Sequence, residues 1–122
     1  VKLRAVLAVC SFAAMSAVTA SSATVPGKLQ AANTAASRFF VVTSVSATVT
    51  APHGIWVRLS GGVKEGSADI WCRRASKRTA KRYEFHRAAL FRLPIMPSGA
   101  ESCGVIASVN GSGKVRVEIR AE

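Results

Sequence analysis

From Phe39 onward the chain alternates apolar and polar positions with a period of two. Phe39, Val41, Val45, Ala47 and Val49 stand on one side of the pattern, with Ser44, Ser46, Thr48 and Thr50 on the other. Alternation in β-branched and aromatic residues predicts a strand with one wet face. Ala51-Pro52-His53-Gly54 reads as a turn. A second strand points Ile55, Val57 and Leu59 one way and Trp56, Arg58 and Ser60 the other, until Gly61-Gly62 breaks the run. A third carries Ala68, Ile70 and Cys72 inward, with Asp69, Trp71 and Arg73 outward.

Ser76 to Lys81 reads as a polar connection. The fourth strand runs from Tyr83 and Phe85 to Phe91, Leu93 and Ile95, with a bulge or bend at Arg87 to Ala89, where the phase slips. Pro94, Pro97, Ser98 and Gly99 end it. Cys103, Val105, Ala107 and Val109 form the fifth strand, and Val115, Val117 and Ile119 the sixth. Asn110-Gly111-Ser112-Gly113 between them predicts a hairpin turn. About six short strands without a long helix predict an all-β fold, a small antiparallel β-sandwich over residues 39–122.

The first 38 residues lack this period. Lys2 and Arg4 precede the apolar run Ala5 to Val18, and small residues follow. That order predicts a cleavable export signal over residues 1–23, cut after Ala20 or Ala23. The run is too short and too diluted by Ser, Thr and Ala for a membrane span, so no transmembrane segment is expected after cleavage. Residues 24–38 read as a flexible or short helical lead-in, because little there can bury enough surface to offset ordering.

Export changes the cysteine and charge counts. Cys10 leaves with the signal, and Cys72 and Cys103 remain as an even pair in an oxidising setting, which predicts a disulfide. Both are in phase with the apolar residues of their strands, so the bridge should border the core. With Lys2 and Arg4 removed, 15 Lys and Arg face 6 Asp and Glu, leaving about +9. Eight positive groups fall within twenty residues: Arg73, Arg74, Lys77, Arg78, Lys81, Arg82, Arg87 and Arg92, against the single acid Glu84. Like charges so close repel one another, and a negatively charged partner would relieve the repulsion. The candidate partners are anionic cell-wall or other extracellular polymers, with a solvated loop as the plain alternative. Specific nucleic-acid recognition is not indicated, because neither base-reading residues nor a series of stacking aromatics is evident.

Trp56 and Trp71 both fall on outward positions, so neighbouring strands would present an aromatic patch for sugar or protein. His53 lies in a turn, and His86 shares a wet face with Glu84, an ordinary arrangement on a half-exposed strand. The sequence holds no phosphate loop, paired-histidine helix, calcium loop or nucleophile elbow. It therefore points to no metal, no cofactor and no enzyme. A protease-inhibitor loop would have its best candidate at Met96 to Cys103.

The Ala-rich leader, the Cys72-Arg73-Arg74 segment, Tyr83-x-Phe85, Leu93-Pro94, Ser102-Cys103 and the closing Gly111-Ser112-Gly113-x-Val115-x-Val117-x-Ile119 run resemble small secreted proteins of actinobacteria. That resemblance implies an extracellular protein, free or associated with the cell surface. In strand number the chain also resembles immunoglobulin-like sandwiches, but Trp71 precedes Cys72 instead of lying between the cysteines, so that topology does not carry over.

Overall fold

The structure, a computed structural model, describes residues 25–122; the expected export signal lies outside them. Five strands follow one another: β1 (Lys28–Thr50), β2 (Ile55–Arg74), β3 (Lys77–Phe85), β4 (Ala89–Leu93) and β5 (Ser102–Ala121). All pairings are antiparallel, in the order β1-β5-β2-β3, with β4 also paired to β2. The chain is all-β, and no described helix is long and apolar enough to cross a membrane.

Three of these strands are too long to lie straight. At about 3.3 Å per residue β5 would reach some 65 Å, yet its two ends lie side by side. The Ala51 amide donates to the Glu101 carbonyl at 2.8 Å and the His53 amide to the Glu122 carbonyl at 2.6 Å, which holds those ends within about 13 Å of each other. β1, β2 and β5 are therefore all folded back at mid-length, and the register slips there: between Ser37 and Phe40 on β1 and between Gly61 and Glu65 on β2. Glycine makes the crossing possible. A Cβ on Gly61 (φ 92°) or on Gly111 would lie 2.0 Å from a backbone carbonyl of the opposing strand, far inside van der Waals contact.

The folded sheet makes two layers. The first contains β1 residues 28–37, β5 residues 113–121, β2 residues 55–61 and β4. The second contains β1 residues 40–50, β5 residues 102–112, β2 residues 66–74 and β3. Ile55, Val57, Leu59, Leu93, Val115, Val117 and Ile119 of the first layer face Ala68, Ile70, Val105, Ala107 and Val109 of the second, all buried. Phe85 and Phe91 stack across the connection from β3 to β4 with centroids 4.1 Å apart. Cys72 and Cys103 form a disulfide between directly opposed residues of β2 and β5, buried at the inner face of the second layer. Closing a loop across a sequence separation of 31 residues contributes roughly 3.5 kcal/mol by restricting the unfolded chain.

Several expectations are corrected in detail. The expected second and third strands are the two halves of β2, and the expected fifth and sixth are the two halves of β5. Asn110 to Gly113 is therefore a bend within one strand, because both halves of β5 find partners in β1 and β2 and not in each other. Residues 28–37, read as a lead-in, form the first half of β1; their small side chains suit an edge strand whose backbone pairs with β5. The polar connection shrinks to a turn at Ala75-Ser76, with β3 already begun at Lys77. The phase slip at Arg87 is where the chain leaves the second layer and begins β4 in the first.

Candidate functional site

The antiparallel register sets out the outer face of the second layer row by row. Thr50, Ser102, Arg73 and Arg78 form one row; Thr48, Gly104, Trp71 and Ala80 form the next. Ser46, Ile106, Asp69 and Arg82 follow, then Ser44, Ser108, Ser67 and Glu84. The β1 and β5 side of this face carries small hydroxyl residues, Gly104 and the exposed Ile106, and the β2 and β3 side carries Trp71, three arginines and the acids Asp69 and Glu84. The result is a low trough with a taller wall.

Trp71 stands at the centre, 46% exposed. A Cβ on Gly104 would lie 2.4–2.5 Å from the indole atoms Cε2, Cζ2 and Nε1. Near-equal approach of three ring atoms means that the indole lies across the β5 backbone with one face down and the other to solvent. Trp71, Arg73, Arg78, Thr48 and Ser102 surround a depression of about 240 Å³. A second depression of about 160 Å³ continues along the same face between Glu65, Ser67, Arg82, His86 and Asn110. His86 and Glu84 both line it, and no hydrogen bond joins them among the described residues.

The eight clustered cations do not share one surface. Arg73, Arg78 and Arg82 point out beside Trp71, whereas Lys81 stands opposite Ile70 at the open edge of the inner face. Arg73 pairs with Glu101 at 3.3 Å, and Arg82 pairs with Asp69 at 3.0 Å and Glu84 at 3.6 Å. Arg74 donates to the Ser98 carbonyl at 2.9 Å. Lys77, Arg78 and Lys81 have no acidic partner among the described residues. Arg87 and Arg92 belong elsewhere: their guanidinium groups lie 5.6 Å from the Phe91 centroid and 5.4 Å from the Trp56 centroid.

The expected two-tryptophan patch does not form. Trp56 lies on the outer face of the first layer, 9% exposed, between Arg92 and Arg120 of the flanking strands. The Arg92 guanidinium lies over its ring. The same face holds a charge cluster that sequence reasoning missed. Glu118, 6% exposed, accepts from Arg116 at 2.9 Å and from Arg120 at 3.1 Å. Burial pushes its carboxyl up, but the hydrogen bonds from Arg116 and Arg120 and the charges of Arg116 and Arg58 outweigh it and hold the group below the usual glutamate value. Arg116 also donates to the Thr34 hydroxyl at 2.9 Å, and Arg120 to the Pro26 and Gly27 carbonyls, so the cluster ties the start of β1 to the sheet.

A wider depression, about 590 Å³, lies at the opposite end from the bends, lined by His53, Arg92 and the Pro94 to Ala100 connection. Among the described residues, no three His, Cys, Asp or Glu side chains gather as metal ligands.

Neither a protein-family model nor a curated protein sequence matches the chain. Among solved structures it is similar to PirA, at 13% identity and a TM-score of 0.47, over 81% of this chain and 98% of PirA. It is also similar to TmCBM61 in complex with β-1,4-galactotriose, at 13% identity and a TM-score of 0.46, over 73% of this chain and 66% of the other. A third likeness is to the C-terminal domain of A223, a structural protein from Sulfolobus turreted icosahedral virus, at 10% identity and a TM-score of 0.45, over 77% of this chain and 95% of the other. Likenesses this distant carry no functional argument, and the function must be argued from the chemistry of the outer face.

Proposed function

We propose that the protein is a secreted, non-catalytic binding domain that holds an acidic polysaccharide of the cell envelope or its surroundings on the outer face of the second layer. The carrying observation is Trp71, laid flat on Gly104 and open to solvent between Arg73 and Arg78. An exposed indole face is costly in water and suits the apolar face of a sugar ring, while nearby polar groups fix orientation. Arg78 and the rows of Ser and Thr hydroxyls supply donors for carboxylate and hydroxyl oxygens. The two depressions, about 13 Å apart along the strands, favour an extended polymer over a single small molecule. A lone aromatic platform does not make the stacking series that single-stranded nucleic acid uses. The sequence leader and the buried disulfide support an extracellular setting.

The test is retention on polygalacturonate and heparin with neutral dextran as control. Binding should weaken as salt rises, because charge contacts are screened. A chain this basic adsorbs to any polyanion, so the deciding variant leaves the charge unchanged: Trp71→Ala should weaken polygalacturonate binding by about 10-fold or more. Undiminished binding by Trp71→Ala overturns the proposal.

A further inference from the structure

At its bend β1 is longer than β5 by two residues. Ser37 pairs with Gly113 and Phe40 with Ser112, which leaves Arg38 and Phe39 looped out. The Phe39 amide donates to the Ser37 hydroxyl at 3.0 Å and holds the loop. Phe39 is 76% exposed and Phe40 65%, the most exposed large apolar side chains among the described residues, and Val42 beside them is exposed too. The opposing positions explain this. Gly111, Ser112 and Gly113 offer no apolar side chain, and the backbones of β2 and β5 cross there too closely to leave a cavity.

The same end of the molecule is positively charged. Arg38 lies in the loop, Lys114 opposite Ala36, Lys64 in the bend of β2 and Arg87 in the connection from β3 to β4, all exposed, with Glu65 as the acid among them. Adjacent apolar tips inside a ring of cations match a bilayer with anionic headgroups: the rings enter the acyl boundary while the cations meet phosphate. A second copy of this chain fits poorly, since it would bring like charges face to face.

We propose that this bend end is a docking surface for an anionic lipid bilayer, with Phe39 and Phe40 inserting and Arg38, Lys64, Lys114 and Arg87 holding the headgroups. The surface adjoins the far end of the Trp71 face, where Val42 and Glu65 line the second depression, but Trp71 itself takes no part in it.

The experiment is co-sedimentation of the full chain with vesicles of phosphatidylglycerol and phosphatidylcholine, against phosphatidylcholine alone. The chain should bind the anionic vesicles, and F39S/F40S should weaken that binding by about 10-fold or more while the melting temperature holds, since neither ring is buried. R38E/K114E should weaken it on anionic vesicles as well, and Trp71→Ala should leave it unchanged. The leader is common to all variants, so the differences report the tip. Absence of binding to anionic vesicles, or equal binding by F39S/F40S, overturns the proposal. Self-association of the chain in sedimentation velocity that F39S/F40S abolishes would assign the surface to a second copy instead.

Discussion

Trp56 and Trp71 sit at corresponding outward positions on the two halves of β2, each with arginine near, yet one is buried and the other open. Their cross-strand neighbours decide the difference. Trp56 lies between Arg92 and Arg120 of the flanking strands, the Arg92 guanidinium sits over its ring, and a Cβ on Gly54 would lie 2.5 Å from its tip. Trp71 lies between Ala80 and Gly104, which have nothing to cover it with. Charge follows the same division. On the first face Glu118 gathers Arg116 and Arg120 into a buried network that fastens the N-terminal edge. On the second, Arg78 is left without an acid. One face has its charges gathered around a buried acid, and the other leaves an exposed indole beside a guanidinium unpaired among the described residues.

The comparison breaks most directly by truncating each ring. Trp56→Ala should lower unfolding free energy by about 3 kcal/mol, as expected for a large buried aromatic, whereas Trp71→Ala should stay within about 1 kcal/mol. Urea unfolding with unchanged slope reads both, and equal losses would mean that both faces are structural. Next comes Glu118→Ala, which leaves Arg58, Arg116 and Arg120 without their common acid. Removing one partner from a buried ion-pair network costs about 3 kcal/mol. A smaller loss, about 2 kcal/mol, is expected here because Arg116 keeps access to water. Asp69→Ala on the other face removes only an exposed pair with Arg82 and should change the urea midpoint little.

Much of this contrast was legible in the sequence, and its decisive part was not. Period two gave the inward and outward sides of β2 and β5 correctly, because each half buries one face against the other layer. Strand number was miscounted because a glycine pair breaks an alternation in the same way whether the chain turns back beside itself or bends into another layer. Gly61-Gly62 and Asn110 to Gly113 do the second, and only the pairing of both halves with the same neighbours reveals it. The outward phase of both tryptophans was read correctly, but exposure depends on the neighbouring strand, which periodicity does not name. One clue was available. If Cys72 opposes Cys103 in an antiparallel pair, Trp71 must oppose Gly104, and the platform follows from the disulfide. Glu118 gave no local signal, since a Lys-x-Arg-x-Glu-x-Arg alternation is also what a solvated edge looks like.

A smaller effect sharpens the role of Gly104. Gly104→Ala places a Cβ inside contact distance of the indole, so the ring must lift off the sheet. Trp71 is exposed and can move, so stability should change by less than about 0.5 kcal/mol. Polygalacturonate binding should fall about 5-fold, corresponding to about 1 kcal/mol, as measured by titration. If the variant binds like the parent, the flat seating of the ring is irrelevant to the site. If it also unfolds more easily, Trp71 is part of the packing and the two faces are less different than their exposure indicates.

The smallest effect is the pH dependence of the closed face. The Glu118 carboxyl is held below its ordinary value in the folded chain, so the folded state binds that proton less readily than the unfolded state. Its contribution to stability is therefore fully present above the unfolded glutamate value and is lost as pH falls through the lower folded value. Glu118→Gln carries no such titration. The stability gap between parent and Glu118→Gln should thus be widest near neutrality and narrow progressively in acid, as followed by urea unfolding across that range. A gap that stays constant into acid would mean that shape and hydrogen bonding, rather than charge, hold the arginines of the first face together.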